Sequence, residues 1–429
     1  MGHVAARSAE LKNWLGSRTV VSPGSNVASK GLPFQSWRPF KEAFDPEVVH
    51  RAISETSGEV SRLLDPFGGS GTSALTAQFS GVLPTTIEVN PYLADLIEAK
   101  LTVYDTGELT RDFAKVLGAA DSKSVSPVQH FRKLPPTFVE PGKNNKFIFY
   151  MKTIKEIAQV FSAIECECGS ERTKTLFRIL LSTIALEVSN VVISGKGRRY
   201  RKNWQTRQVS QLSIAELFRA KVIGAIADIS RHGYRPETRY TLLRGDSRVL
   251  MSDVGKQDIC VFSPPYPNSF DYTDVYNVEL WLLGYLKNFE ENRVLREQTL
   301  RSHVQVKRGY ETDCMGSALL ERTYEKLAAS RSALWSADIP EMSVAYFSDM
   351  VEVLKNVANS LRSGGRAYCI VGDSKYANVP LPVAKILIEL STNCGLSFVY
   401  SERFRSMRAS PQQGGKIELP ETLLVFEKP

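Results

Sequence analysis

A chain of 429 residues with 43% hydrophobic and 23% charged content is ordinary for a soluble protein, long enough for one large core plus inserted or second domains, and in no need of disulfide staples. Its longest apolar runs, such as residues 179–184, fall far short of the roughly 20 residues a membrane span requires. The polar N-terminus also lacks a signal-peptide core, so the sequence predicts a cytoplasmic protein. A formal charge of +8 permits a polyanionic partner without demanding one.

In chain order, Asp45 and Pro46 read as a helix N-cap and first-turn pair, followed by Val48, Val49, Ala52 and Ile53 on one side. "RLLD" then reads as a buried strand, "PFGGSGT" as a loop, residues 73–79 as a helix stopped by Gly81, and "TTIEVNP" as a second short strand ending in a turn. Residues 107–239 change character: Phe147, Met151, Ile154, Ala158 and Phe161 keep a helical period, residues 176–192 form another apolar helix, and Ser213 with Glu216 forms a capping box. This predicts a mainly helical insertion broken by the basic loop "GKGRRYRKNW". The strand-and-helix pattern resumes with "TLLRGDSRVL" and "DICVFSPPY". It is interrupted by a charged, weakly periodic stretch at 287–342 and ends with a helix near 347–361, the strand "RAYCIVG", a helix at 383–394 and two β-rich segments. The fold class predicted is α/β, with residues 1–106 and 240–429 forming the two halves of one sheet domain around the insertion.

Six cysteines are scattered except for Cys166 and Cys168; "CECG" could be half a zinc site, but no second Cys or His pair has matching spacing. Reduced structural cysteines and no metal are the expectation. "LLDPFGGSGTSAL" places Gly68, Gly69 and Gly71 between an apolar strand and a helix, where the backbone can approach a ligand and the helix N-terminus offers unpaired N–H groups. A triphosphate loop is disfavoured: the Lys and Ser/Thr pair is missing, and Asp65 and Glu88 would repel it. The acidic residues favour a neutral or cationic nucleoside instead. Glu88, closing the second strand, can take both ribose hydroxyls.

"DPFGGSGT" followed by "IEVNP", "GDS" and "SPPY" resembles the S-adenosylmethionine-dependent amino-methyltransferases of DNA, specifically the N4-cytosine type with Ser first in the four-residue motif. The motif order covers residues 37–104 and 241–429. The resemblance implies a Rossmann-like class I methyltransferase sheet, mostly parallel with an antiparallel terminal strand, S-adenosyl-L-methionine as cofactor, and DNA as partner. Asp65, Phe67, Gly68, Gly69, Gly71 and Thr72 carry over as cofactor contacts, Glu88 as the ribose ligand and Asp246 as the acceptor for the adenine amino group. "SWRPFKEAFDP" resembles the upstream element that packs on the methionine moiety, adding Trp37, Pro39 and Phe44, although Glu42 and Ala43 replace its usual glycine or basic residue. A plain helix lead-in fits that segment equally well. A place in restriction–modification or phage defence would add a cognate restriction endonuclease as partner.

The elbow "SPPY" suits that chemistry. The lone pair of an exocyclic cytosine nitrogen is delocalised, so acceptors must draw its hydrogens aside: the Ser263 hydroxyl and the Pro264 carbonyl, aimed outward by Pro264 and Pro265. Tyr266 can stack on a base flipped out of the duplex. No cysteine precedes the elbow in a "PC" arrangement, which disfavours covalent attack on cytosine C6, and Cys260 is read as core. Beyond the elbow, Asn268, Asp271 and Tyr272 either line the base pocket or cap the next helix, whereas Trp281, Leu282 and Leu286 read as core. The basic run at 195–207 offers Lys196, Arg198, Arg199, Arg201 and Lys202 for phosphates with Tyr200 and Trp204 for stacking, or is simply a solvated loop. Residues 107–239 are the favoured target-recognition region. His303 has no visible partner and reads as a surface histidine. N6-adenine methylation, RNA methylation and a nucleic-acid-binding module without catalysis remain alternatives.

Overall fold

In the computed structural model, which describes residues 2–40, 42–122, 131, 133–194, 197–206, 213–267, 270–310, 316–408 and 418–429, helix α1 (Gly2–Leu15) precedes α2 (Pro46–Glu55). Asp45 caps α2 by accepting from the Glu47 amide, and Pro46 sits in its first turn, as the sequence predicts. Strand β1 (Arg62–Asp65), helix α3 (Thr72–Phe79), strand β2 (Leu83–Glu88) and helix α4 (Pro91–Leu101) follow. The middle region supplies α5 (Thr106–Ser122), α6 (Met151–Glu167), α7 (Glu171–Val188), strands β3 (Val191–Ser194) and β4 (Gly197–Tyr200), and α8 (Ile214–His232), which begins with the Ser213–Glu216 capping box. Next come β5 (Thr241–Arg244), α9 (Ser247–Leu250), β6 (Gln257–Phe262), α10 (Tyr272–Val275), α11 (Asn277–Leu282), α12 (Phe289–Glu297), α13 (Ala318–Ala329) and α14 (Ile339–Ser360). The chain closes with β7 (Leu361–Gly372), the short β8 (Ser374–Tyr376) and β9 (Val379–Leu381), α15 (Val383–Ser391), β10 (Ser397–Arg408) and β11 (Glu418–Glu427).

One expectation needs correction. Part of the run read as a basic loop is a hairpin, with Val191 paired to Tyr200 and Ser194 to Gly197, because β-branched "VVI" lies opposite "RRY". Within the charged stretch at 287–342, where the sequence pattern assigns no element, lie α12 and α13, and α14 starts at Ile339 with Pro340 in its first turn.

The main sheet runs β10-β11-β7-β6-β1-β2-β5. Neighbours from β7 to β5 pair in parallel, while β11 is antiparallel to both β7 and β10. This is the predicted Rossmann-like sheet, mostly parallel with one reversed strand, and the reversed strand is last in the chain but second from the sheet edge. From β1 the chain builds outward through β2 to β5, then crosses back to place β6 on the other side of β1. At such a reversal the two connections leave in opposite directions and open a crevice beyond the strand C-termini.

Strand alternation divides the core. Ile259 and Val261 of β6 face one way with Leu63 and pack with Val48, Val49 and Ala52 of α2. Cys260 and Phe262 face the other way with Leu64 and pack with Met350, Leu354 and Val357 of α14. Cys260 is thus a core residue, as read from sequence. Helices α5–α8 share a third apolar cluster with α3, α4 and α11, in which Phe177 and Leu180 join Leu96 and Ile97. Trp281, Leu282 and Leu286 are buried in that cluster, the core role expected of them.

Candidate active site

A cavity of about 300 Å³ lies beyond the C-terminal ends of β1, β2, β5 and β6. The glycine loop forms one wall. After Asp65 the chain turns so that the Gly68 amide donates to the Ile87 carbonyl (2.9 Å) and the Gly71 amide to the Gly68 carbonyl (2.8 Å). Gly71 has φ +78° and leads directly into α3, a conformation that favours glycine. Gly68 lies against β2 and α4: an added Cβ would sit 2.5 Å from Thr86 Oγ1 and 2.8 Å from Ile97 Cδ1. Beneath the loop, the buried Lys100 ammonium donates to the Ser70 carbonyl (2.7 Å) and to Gln35 Oε1 (2.9 Å). Burial, and then the nearby Arg38 charge, push this lysine down to about 7.

Two buried carboxylates face the same space. Glu88 accepts from the Gly69 amide (2.7 Å) and the Asn90 amide (2.8 Å), and burial pushes it up to about 7. Asp65 accepts from the Phe67 amide (3.0 Å), and burial pushes it up to about 6. Among the described residues no Lys or Arg pairs with either carboxylate, so these two keep acceptor capacity that no cation of the site takes up. Asp246, the cap of α9, lines the cavity with one edge committed to Arg248 (2.6 Å).

The elbow forms the opposite wall, with Ser263, Pro264, Pro265 and Tyr266 all lining the cavity. The Ser263 hydroxyl donates to the Ile370 carbonyl on β7 (3.1 Å) and lies 3.2 Å from the Tyr266 hydroxyl. Tyr266 in turn donates to Glu421 on β11 (3.1 Å), and the Tyr266 phenol is pushed well above its ordinary range by burial. Residues more than 180 positions apart therefore meet because β1 and β6 are hydrogen-bonded neighbours.

Of the sequence-predicted cofactor residues, Asp65, Phe67, Gly68, Gly69, Thr72, Glu88, Asp246 and Phe44 line the cavity, while Gly71 shapes its loop from behind. Trp37 does not line it. Its indole N–H donates to Asp228 (2.9 Å) and its ring packs on Phe34, so it belongs to the core; Pro39 is exposed. Phe40 lines the cavity from the same motif, stacked on Tyr276 at 5.7 Å. His303 is another correction: it is buried, lines the cavity, and is held down to about 4 by burial. Of the described lining residues, Thr299, Arg405 and Glu421 carry no local motif that sequence could have marked.

No family model matches this chain. The chain is similar to type II methyltransferases. It is 23% identical to the type II methyltransferase M.BsoBI of Geobacillus stearothermophilus, across 94% of this chain and 87% of that one. It is 24% identical to the type II methyltransferase M.AvaI of Nostoc sp. (strain PCC 7120), across 89% of this chain and 82% of that one. Among solved structures, TrmN from Thermus thermophilus aligns at a TM-score of 0.31 with 10% identity, over 94% of this chain and 53% of that one, a likeness too loose to bear on function.

Arg199 and Lys202 are exposed on the β3–β4 hairpin and the turn after it, and Gly197 of that hairpin lies beside Asp274 of α10, close to the elbow. Three residues there or nearby are otherwise engaged. Arg201 donates to the Ser189, Leu186 and Glu187 carbonyls and so caps the end of α7. Asp271 is buried, caps α10 and pairs with Arg296. Tyr200 packs on Trp204 at 5.0 Å. Arg198 lies over the Phe138 ring, and Tyr272 lines the cavity against Phe270. Lys196 and Asn268 lie outside the described residues. Among the described residues no cluster of His, Cys, Asp or Glu could hold a metal ion, and no helix is long and apolar enough to cross a membrane.

The buried carboxylates set a pH dependence. Between the ordinary value of 4.5 and about 7, folded Glu88 keeps a proton that the unfolded chain has lost, so its contribution to stability falls as pH rises through that window and is level above it. The expected loss is on the order of 3 kcal/mol. Urea unfolding of wild type and Glu88→Gln, at pH 4.5 and 7.5, checks this: the stability advantage of the wild type should shrink as pH rises. A difference that stays constant or grows would remove the argument.

Proposed function

We propose that the protein is a DNA methyltransferase that moves a methyl group from S-adenosylmethionine to the exocyclic N4 of cytosine. The observation that carries this reading is one cavity bounded by both the glycine loop with its buried carboxylates and the Ser263–Tyr266 elbow. The residues fit the cofactor. Glu88 and Asp65 are buried acceptors without a cationic partner, suited to ribose hydroxyls and to a cationic ligand, and the left-handed turn at Gly69 and Gly71 lets the backbone approach closely. When bound, S-adenosylmethionine supplies a methyl group on a positively charged sulfur.

The chain's own residues then do four things. Glu88 takes the ribose and Asp246 the adenine amino group, while Phe40 and Phe44 close the methionine end. Tyr266 supports a base turned out of the duplex, whose unstacking costs a few kcal/mol. Ser263 Oγ and the Pro264 carbonyl accept the two amino hydrogens, which turns the nitrogen lone pair toward the methyl. With the cofactor bound, its sulfonium would supply the methyl to that lone pair and would leave as the neutral thioether, and the extra proton on the product nitrogen would pass to water. Arg199 and Lys202, with Lys196, are the phosphate contacts of this reading, and residues 107–239 its target-recognition region. Restriction–modification, with a cognate endonuclease as partner, is the setting favoured by the likeness to type II methyltransferases.

The test is mass spectrometry of nucleosides from plasmid DNA incubated with the protein and methyl-labelled cofactor. Labelled N4-methylcytosine is the expected product. N6-methyladenine would overturn the choice of base while leaving the elbow chemistry in place, and unlabelled DNA beside labelled RNA would overturn DNA as the substrate.

A further inference from the structure

Hydrogen-bond direction at the elbow is set from β11 and the edge strand β10 beside it. Glu421 of β11 is 2% exposed. Its Oε2 accepts from Arg405 Nε (2.6 Å), and its Oε1 accepts from Arg405 Nη2 (3.0 Å) and from the Tyr266 hydroxyl (3.1 Å). Gly24 presses so closely on Glu421 that no side chain fits between them, and the carboxylate is held from that side too. A guanidinium can only donate and a carboxylate paired with it can only accept, so the single hydroxyl hydrogen of Tyr266 is committed to Glu421. The Ser263 hydroxyl donates to the Ile370 carbonyl on β7 (3.1 Å), which can only accept. Ser263 Oγ and the Tyr266 oxygen, 3.2 Å apart, are then left facing the cavity with lone pairs and no hydrogen to share. Two such oxygens are satisfied by an N–H brought from outside. A carbonyl or ring nitrogen without hydrogen would meet only lone pairs.

We propose that Glu421, anchored by Arg405, is a positioning residue that draws the Tyr266 hydrogen away from Ser263 Oγ and so holds that oxygen as an acceptor, so that the site admits an amino group and rejects a carbonyl at the reacting position. This rests on the reading of the elbow as the methyl-transfer site. Among the described residues, Arg405 on β10, Tyr266 on the elbow and Tyr272 on α10 face Glu421, and Glu42 ahead of α2 acts on Tyr272 from the same cavity.

Replacing Glu421 by Met keeps the bulk and removes the acceptor. The Tyr266 hydrogen then turns to Ser263 Oγ and occupies the lone pair that the substrate needs. The expected result is a fall in kcat of about 10- to 100-fold with the dissociation constant of S-adenosylmethionine changed by less than about twofold, since one misdirected hydrogen bond is involved and the glycine loop is untouched. Glu421→Gln, which can still offer one oxygen, should retain more of the activity. The route through Tyr266 is isolated by a double-mutant cycle: in the Tyr266→Phe background, Glu421→Met should cost less than about threefold. An undiminished loss in that background would overturn the proposal. A readout independent of activity is the 13Cζ signal of labelled Tyr266, assigned by its absence in Tyr266→Phe. It should move upfield in Glu421→Met as the phenol stops donating to a carboxylate, and an unmoved signal would also overturn the proposal. If the wild type methylated no DNA, the function proposed above would fail, whereas the 13C measurement would still decide the hydrogen-bond direction.

Discussion

Ser263→Ala is expected to lower kcat for methyl transfer by about 10²- to 10³-fold, with cofactor affinity within about twofold of wild type. The hydroxyl is held by the Ile370 carbonyl and lies beside Tyr266, so its acceptor side is fixed before substrate arrives. A preorganised acceptor of this kind pays no reorganisation cost as the amino nitrogen becomes tetrahedral, and it therefore acts more strongly on the transition state than on the ground state. Alanine removes the oxygen but leaves both prolines, so the elbow backbone keeps its course. Single-turnover rates with saturating cofactor, alongside calorimetric cofactor binding, separate the two effects. A rate within about threefold of wild type would mean that the amino hydrogens are held by other groups.

Gly68→Ala should weaken cofactor binding by about 10- to 100-fold while leaving the fold intact. The added methyl would fall 2.5 Å from Thr86 Oγ1 on β2 and 2.8 Å from Ile97 Cδ1 on α4. Both are buried side chains on regular elements, and β-branching leaves each little freedom at χ1. The loop must therefore move, which carries the Gly69 amide away from Glu88 and shifts the loop where the cofactor's methionine end is expected. Adding Thr86→Ala and Ile97→Val to Gly68→Ala removes the two colliding atoms and should restore most of the affinity. Cofactor titration of the three proteins checks this, and a defect that survives the compensating changes would exclude the steric explanation.

The local signals were legible because they are short-range. Asp45–Pro46, the Ser213–Glu216 box and the glycine run before α3 act within one turn of chain, and the structure places each where the pattern puts it. Misreadings arose where partners are remote. Arg201, just past the hairpin, looked like a phosphate contact, but it closes the end of α7 through three carbonyls. Trp37 proved to be a core residue with Asp228 and His303 a buried wall of the cavity, and Asp271, which caps α10 as one of its two readings allowed, also has a remote Arg296 partner. Solvation and pairing of a long polar side chain depend on what folds against it, which no window of sequence contains.

By itself the sequence determined the chemistry available: a glycine turn flanked by acids, and a rigid elbow offering a hydroxyl and an aromatic ring. Those follow from residue types, since only glycine adopts the turn without strain and only proline fixes the elbow. The tertiary structure alone decided that the two share a cavity, because parallel pairing of β6 beside β1 joins segments some 190 residues apart at a reversal of strand order. It also decided the polarity of the elbow, through Glu421 and Arg405. These reach Tyr266 only because β11, the last strand in the chain, lies antiparallel between β7 and β10.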